Sequence, residues 1–137
     1  MVKNIPVSKN NNSKVAIIAI HGWKGNLSSM DHVANAVNIK YAQWTFIQGP
    51  YTAGDNKYSW FERSEKEGWK YQESFDLLHK TILDINQNGF PKSKIFLLGF
   101  SQGACLAMEF IIRQKFSIGG IIPIAGFIGK KDRFKNG

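Results

Sequence analysis

Apolar residues fall along this chain in two rhythms, and the alternation between them predicts the fold. Lys14–Ile20 reads KVAIIAI, an unbroken apolar run between polar neighbours. Such a run predicts a strand buried on both faces, as in a parallel sheet. From Leu27 the pattern changes. Leu27, Met30, Val33, Ala34 and Val37 lie on a 3.6-residue stripe and predict a helix over Ser28–Asn38, with Ser28 or Ser29 as its cap. Ala42–Gln48, AQWTFIQ, is rich in β-formers and predicts a second strand, closed by Gly49-Pro50. Tyr71, Phe75, Leu78, Ile82 and Ile85 mark one face of a helix over Trp69–Asn88, stopped by Gly89 and Pro91. Ile95–Leu98 predicts a strand, Gln102–Lys115 a helix apolar on most sides, and Ile118–Ala125 a last strand. Pro123 cannot donate to a ladder, which makes that strand short or places it at an edge. Strands that alternate with helices give an α/β fold on a parallel sheet.

Three stretches lie outside this rhythm. Met1–Lys14 is polar, with an edge strand expected at most around Ile5 and Val7. Tyr51–Gly68 reads as a long loop, and a loop of that length in a compact domain is usually either functional or a misread set of elements. Its aromatics Tyr51, Tyr58, Trp60 and Phe61 either line a pocket or pin the loop down as a satellite cluster. Gly126–Gly137 ends in the basic tail Lys130-Lys131-Asp132-Arg133-Phe134-Lys135.

Composition adds limits. The 137 residues, 43% hydrophobic and 13% aromatic, suit one folded domain with its own core. Eighteen Lys and Arg against ten Asp and Glu give +8. The cations are scattered, which favours a solvated basic surface over a nucleic-acid site. The one cysteine, Cys105, excludes an intrachain disulfide and reads as a buried thiol. No stretch has the length of a transmembrane helix, and Val15–Ile20 is too short for a signal core. A cytoplasmic protein is the resulting expectation. No Cys/His spacing suits a metal and no phosphate loop is present.

The chemistry concentrates at Gly99-Phe100-Ser101-Gln102-Gly103. This is G-x-S-x-G between a predicted strand and a predicted helix, the setting of a nucleophile elbow. Ser101 would stand at the tip of the turn, with Gly99 and Gly103 giving room where strand and helix pass. A serine hydroxyl needs a base, a group to orient that base, and donors where negative charge develops. The backbone N–H of Gln102 is one donor, and the loop after the first parallel strand offers a second, the N–H of Trp23.

These residues resemble the phospholipase/carboxylesterase family of α/β-hydrolases, which includes the acyl-protein thioesterases. The matching stretches are Ala16–Asn26 (AIIAIHGWKGN), Ser59–Glu62 (SWFE), Lys94–Ala107 (KIFLLGFSQGACLA) and Ile121–Ile128 (IIPIAGFI). The resemblance implies a three-layer α/β-hydrolase sheet with helices on both faces. It implies Ser101 as nucleophile, with Trp23 and Gln102 as the oxyanion hole; among the loop aromatics, Trp60 and Phe61 are the candidates for contact with substrate if they line a pocket. It implies an ester or acyl-thioester substrate, either a small molecule or a group carried on a lipid or an acylated protein, and no cofactor.

The chain departs from the family after Ser101. There the acid and histidine of the triad should follow. No histidine does, and the only acids are Glu109 and Asp132. His21, at the end of the first strand, is the nearest substitute base, although the resemblance makes it a loop-holding residue; His32 and His79 read as surface or boundary positions. A complete domain of this type needs on the order of 200 residues. The 137 residues are therefore expected to be the N-terminal part of one such domain. Two other readings stand beside the hydrolase: a silent hydrolase domain that binds acyl ligands, and a basic module for anionic surfaces.

Overall fold

A computed structural model describes residues 2–4, 13–115 and 117–124. Its centre is a five-stranded sheet of β1 (Val2–Asn4), β2 (Val15–Ile20), β3 (Ala42–Ile47), β8 (Ile95–Phe100) and β9 (Gly120–Ile124), in the order β1-β3-β2-β8-β9. β1 pairs antiparallel with β3, and all other pairs are parallel. The apolar runs occupy the middle: every residue of β2 after Val15 is buried. β9 is an edge strand among the described residues, and Pro123 on it is exposed.

Period-two alternation divides the core. Ala16, Ile18 and Ile20 of β2, with Ile95 and Leu97 of β8, face one cluster. Onto them pack Phe75, Leu78 and Ile82 from α2 (Gln72–Gln87) and Leu106, Ala107 and Phe110 from α3 (Gln102–Gln114). Ile17, Ala19 and Leu98 point the other way, to Met30 and Ala34 at α1 (Asp31–Val37) and to Trp44 and Phe46. Helices therefore cover both faces of the sheet, as the resemblance implies. Each fully buried isoleucine contributes about 1.5–3 kcal/mol, so β2 is held from both sides.

Several boundaries differ from the sequence expectation, each for a local reason. α1 begins at Asp31, not Ser28. Ser29 Oγ accepts the Asn26 N–H at 2.8 Å, so this serine closes a turn and no side chain caps the helix. Tyr51–Gly68 is not a bare loop. It folds into the hairpins β4–β5 (Tyr51–Gly54, Lys57–Ser59) and β6–β7 (Glu62–Ser64, Gly68–Lys70). Asn56 at φ 52° and Gly68 at φ 77° serve their turns. Trp69 belongs to β7, which delays α2 to Gln72. The N-terminal edge strand lies at Val2–Asn4; Ile5, Val7, Ala125 and the basic tail lie outside the described residues.

Candidate active site

Two chain segments meet at the ends of the central strands. β2 and β8 are parallel neighbours, with Ile20 opposite Gly99, so the loop after β2 and the turn after β8 emerge side by side. At the second, Ser101 has φ 54° and ψ −111°, a strained backbone for a residue with a Cβ. The neighbours hold it there. The Ser101 N–H donates to the Ile124 carbonyl at 3.0 Å, while its own carbonyl accepts from Ala104 and Cys105. A Cβ added at Gly99 would stand 2.5 Å from the backbone of Gly103 and Ala104. The sharp turn is possible only because glycine lies there.

The loop after β2 is built on His21, which is fully buried. Its Nδ1–H donates to the Gly22 carbonyl at 2.6 Å, and its Nε2 accepts the Gly49 N–H at 3.0 Å. Trp60 lies against the ring, centroids 4.8 Å apart, and its indole N–H donates to the His21 carbonyl at 2.7 Å. Burial lowers the His21 pKa below its ordinary value, and the Gly22 bond only partly opposes this. A neutral imidazole with both nitrogens occupied has no lone pair for the Ser101 proton. His21 is a pillar of the loop, as the resemblance implies, and the substitute-base alternative is excluded.

Ser101, Gln102, Trp23 and Phe61 all line one cavity of about 470 Å³, together with Tyr51 and Trp69. Trp23 is 60% exposed there. The backbone N–H groups of Trp23 and Gln102 carry no hydrogen bond among the described residues. Trp60 is corrected. It is fully buried and absent from the cavity wall, because its indole N–H is committed to the His21 carbonyl. It braces the site from behind.

That brace extends through residues whose role the sequence does not display. Gln102 Oε1 accepts the Trp60 N–H at 3.0 Å and lies 3.3 Å from Ser59 Oγ. The Ser59 hydroxyl donates to the Phe61 carbonyl, and the Ser74 hydroxyl to the Trp60 carbonyl, both at 2.7 Å. Gln102 thus lines the cavity while its side chain ties the elbow to the 59–61 segment. The run SWFE marked this segment, but only as a resemblance.

No described histidine lines the Ser101 cavity. Glu109 is paired with Arg113 at 2.8 Å, and Asp132 lies outside the described residues. No cluster among the described residues could hold a metal ion, and no described helix is long and apolar enough to cross a membrane.

Comparisons with known proteins agree with this architecture. The chain is 29% identical over 140 residues to lysophospholipase-like protein 1 of Mus musculus, covering 90% of this chain and 59% of that protein. It is 26% identical over 135 residues to acyl-protein thioesterase 1 of Debaryomyces hansenii, covering 84% and 58%. It thus spans less than two-thirds of either relative. Its fold resembles the crystal structure of a Bacillus cereus carboxylesterase at TM-score 0.70 and 18% identity, covering 96% of this chain and 63% of that one. It also resembles a phospholipase/carboxylesterase from Dyadobacter fermentans at TM-score 0.66 and 23% identity, covering 91% and 59%. The phospholipase/carboxylesterase family model matches residues 3–137. With the elbow after β8 and the glycine-bearing loop after β2, the match shows that the chain belongs to the phospholipase/carboxylesterase family of α/β-hydrolases.

Proposed function

We propose that residues 1–137 are the nucleophile-bearing, N-terminal part of one α/β-hydrolase domain that cleaves carboxylic esters or acyl thioesters. The observation that carries this reading is the strained Ser101 in one cavity with Trp23 and Gln102, whose N–H groups carry no hydrogen bond among the described residues. Ser101 Oγ attacks the acyl carbonyl, and the two amides take up the charge on its oxygen. Each such donor typically contributes about 10²–10³ in rate. The α3 N-terminus adds a favourable dipole. Phe61, Tyr51 and Trp69 give the cavity apolar walls suited to an acyl chain. The base that accepts the Ser101 proton, and the acid that orients it, come from outside these residues, on a longer chain or a partner.

A test uses a short p-nitrophenyl ester and a fluorophosphonate on this chain and on Ser101→Ala. Without a base, binding and the oxyanion hole alone should leave roughly 10³–10⁴ over water, about 10⁶ below an intact triad. That remainder needs no hydroxyl and should persist in Ser101→Ala, whereas labelling of the parent should be slow and should vanish in Ser101→Ala. Fluorophosphonate labelling that survives Ser101→Ala refutes the assignment. The lack of a histidine in the cavity among the described residues also favours a second reading, acyl-ligand binding without turnover by this chain alone. A fatty acyl ligand that binds with no Ser101-dependent turnover would support it.

A further inference from the structure

Trp23 and Gln102 lie on different segments, and their N–H groups can share one substrate oxygen only if those segments are held in register. Direct contact supplies part of this. A Cβ added at Gly103 would stand 2.6 Å from the His21 carbonyl oxygen, so α3 and the loop after β2 already touch. A single contact fixes how closely two segments approach. It does not fix how they are turned about that contact.

A second tie runs through Tyr58-Ser59-Trp60. On one side this tripeptide holds the loop both before and after Trp23. The Trp60 indole N–H donates to the His21 carbonyl at 2.7 Å. The Lys24 N–H donates to the Tyr58 carbonyl at 2.8 Å, and the Tyr58 N–H to the Gly25 carbonyl at 2.9 Å. Trp23 is therefore straddled by bonds to one short segment. On the other side, the Trp60 N–H donates to Gln102 Oε1 at 3.0 Å. Trp60 itself cannot turn. It is fully buried, its carbonyl accepts the Ser74 hydroxyl at 2.7 Å, and its ring lies against that of His21. Its main-chain polar groups and its indole N–H are all committed.

We infer that Trp60 is the positioning residue of the oxyanion hole: through His21 on one side and Gln102 on the other, it orients the Trp23 and Gln102 N–H groups toward a shared oxygen. It acts through these two segments and lies outside the cavity wall. The inference rests on the ester-hydrolase reading, since it needs both amides to serve one oxygen. A misplacement of about 1 Å in such a site can cost about 10² in rate, which is comparable with the roughly 10²–10³ that one donor contributes.

Two ligands separate positioning from packing. Hexylphosphonate presents tetrahedral, charged oxygens, and hexanamide presents a planar carbonyl. Both are titrated against this chain by NMR, which needs no turnover. In the parent, hexylphosphonate should move the Trp23 and Gln102 amide resonances along one saturation curve. Trp60→Phe keeps a ring and loses the indole N–H; it should weaken hexylphosphonate about tenfold and hexanamide less than about twofold. Gln102→Met removes the acceptor of the Trp60 N–H and keeps its own amide; it should lower the same ratio about threefold to tenfold, and it carries the test if Trp60→Phe does not fold. Ile85→Ala, a core truncation at the far end of α2, should lower stability and leave the ratio unchanged. The hydrolysis that remains in Ser101→Ala gives a second readout. In that background, Trp60→Phe should lower kcat for p-nitrophenyl butyrate about tenfold, with KM within about twofold. A ratio unchanged in either folded variant, or an equal fall in Ile85→Ala, overturns the positioning role and leaves the hydrolase reading standing. Hexylphosphonate that fails to bind the parent, or binds without moving both amides, overturns the oxyanion hole itself and the positioning role with it.

Discussion

Gly103 is where the elbow helix touches the central strand, and adding one methyl group there tests the architecture of the site. A Cβ at Gly103 would stand 2.6 Å from the His21 carbonyl oxygen and nearer still to that of Ile20. An unstrained carbon–oxygen approach is about 3.3 Å, so strand and helix must part by about 0.7 Å or more. Neither oxygen belongs to a side chain that can rotate away. Overpacking of this kind costs about 1–3 kcal/mol, and a clash with fixed backbone belongs at about 3. Replacing glycine within α3 returns at most about 1 kcal/mol of helix propensity. The net loss is about 2 kcal/mol, or roughly 6–10 °C in Tm for a chain of this size. Gly120→Ala is the matched control. Its Cβ meets only the Phe96 ring, at 3.5 and 3.6 Å, and stability should change by less than about 0.5 kcal/mol. Urea unfolding followed by far-ultraviolet circular dichroism measures both. A Gly103→Ala midpoint equal to that of the parent, or an equal fall in Gly120→Ala, refutes the close-approach reasoning.

Other outcomes follow from single contacts. Burial lowers the His21 pKa from 6.5, so the fold favours the neutral ring; that stability is complete above the unfolded value and is lost as pH falls through it. Urea midpoints at about pH 7.5 and 5.5 should diverge more in the parent than in His21→Gln. Thr45 Oγ1 is buried without a hydrogen-bond partner among the described residues; Thr45→Val should therefore be neutral or stabilise by up to about 1 kcal/mol, and a clear drop in urea midpoint would show a missed partner.

The strands were legible because burial on both faces leaves an unmistakable trace: KVAIIAI and the run from Ile95 admit few other readings. The elbow was legible because strained turns demand glycines at fixed offsets from Ser101. The two hairpins over Tyr51–Lys70 were not. Their strands are three or four residues long, too short for period-two alternation to declare itself. The place of Trp60 stayed open for a different reason. An aromatic residue has the same composition whether it faces a cavity or a neighbouring carbonyl, and only the His21 contact decides. The side chain of Gln102 hid its role likewise, since its partners, Ser59 and Trp60, lie far away in sequence.

The pairing of β2 with β8 also bears on how the chain is made. Ala16 meets Ile95 across more than half of the sequence. On the ribosome, β2 can dock against β3 soon after both emerge, but its other flank waits until β8 has been translated. Contacts of such long range form slowly, and a waiting apolar flank invites association with other nascent chains. The price of seating a nucleophile beside a distant loop is thus a vulnerable interval during synthesis, ended only when Ile124 arrives to tie down the Ser101 amide.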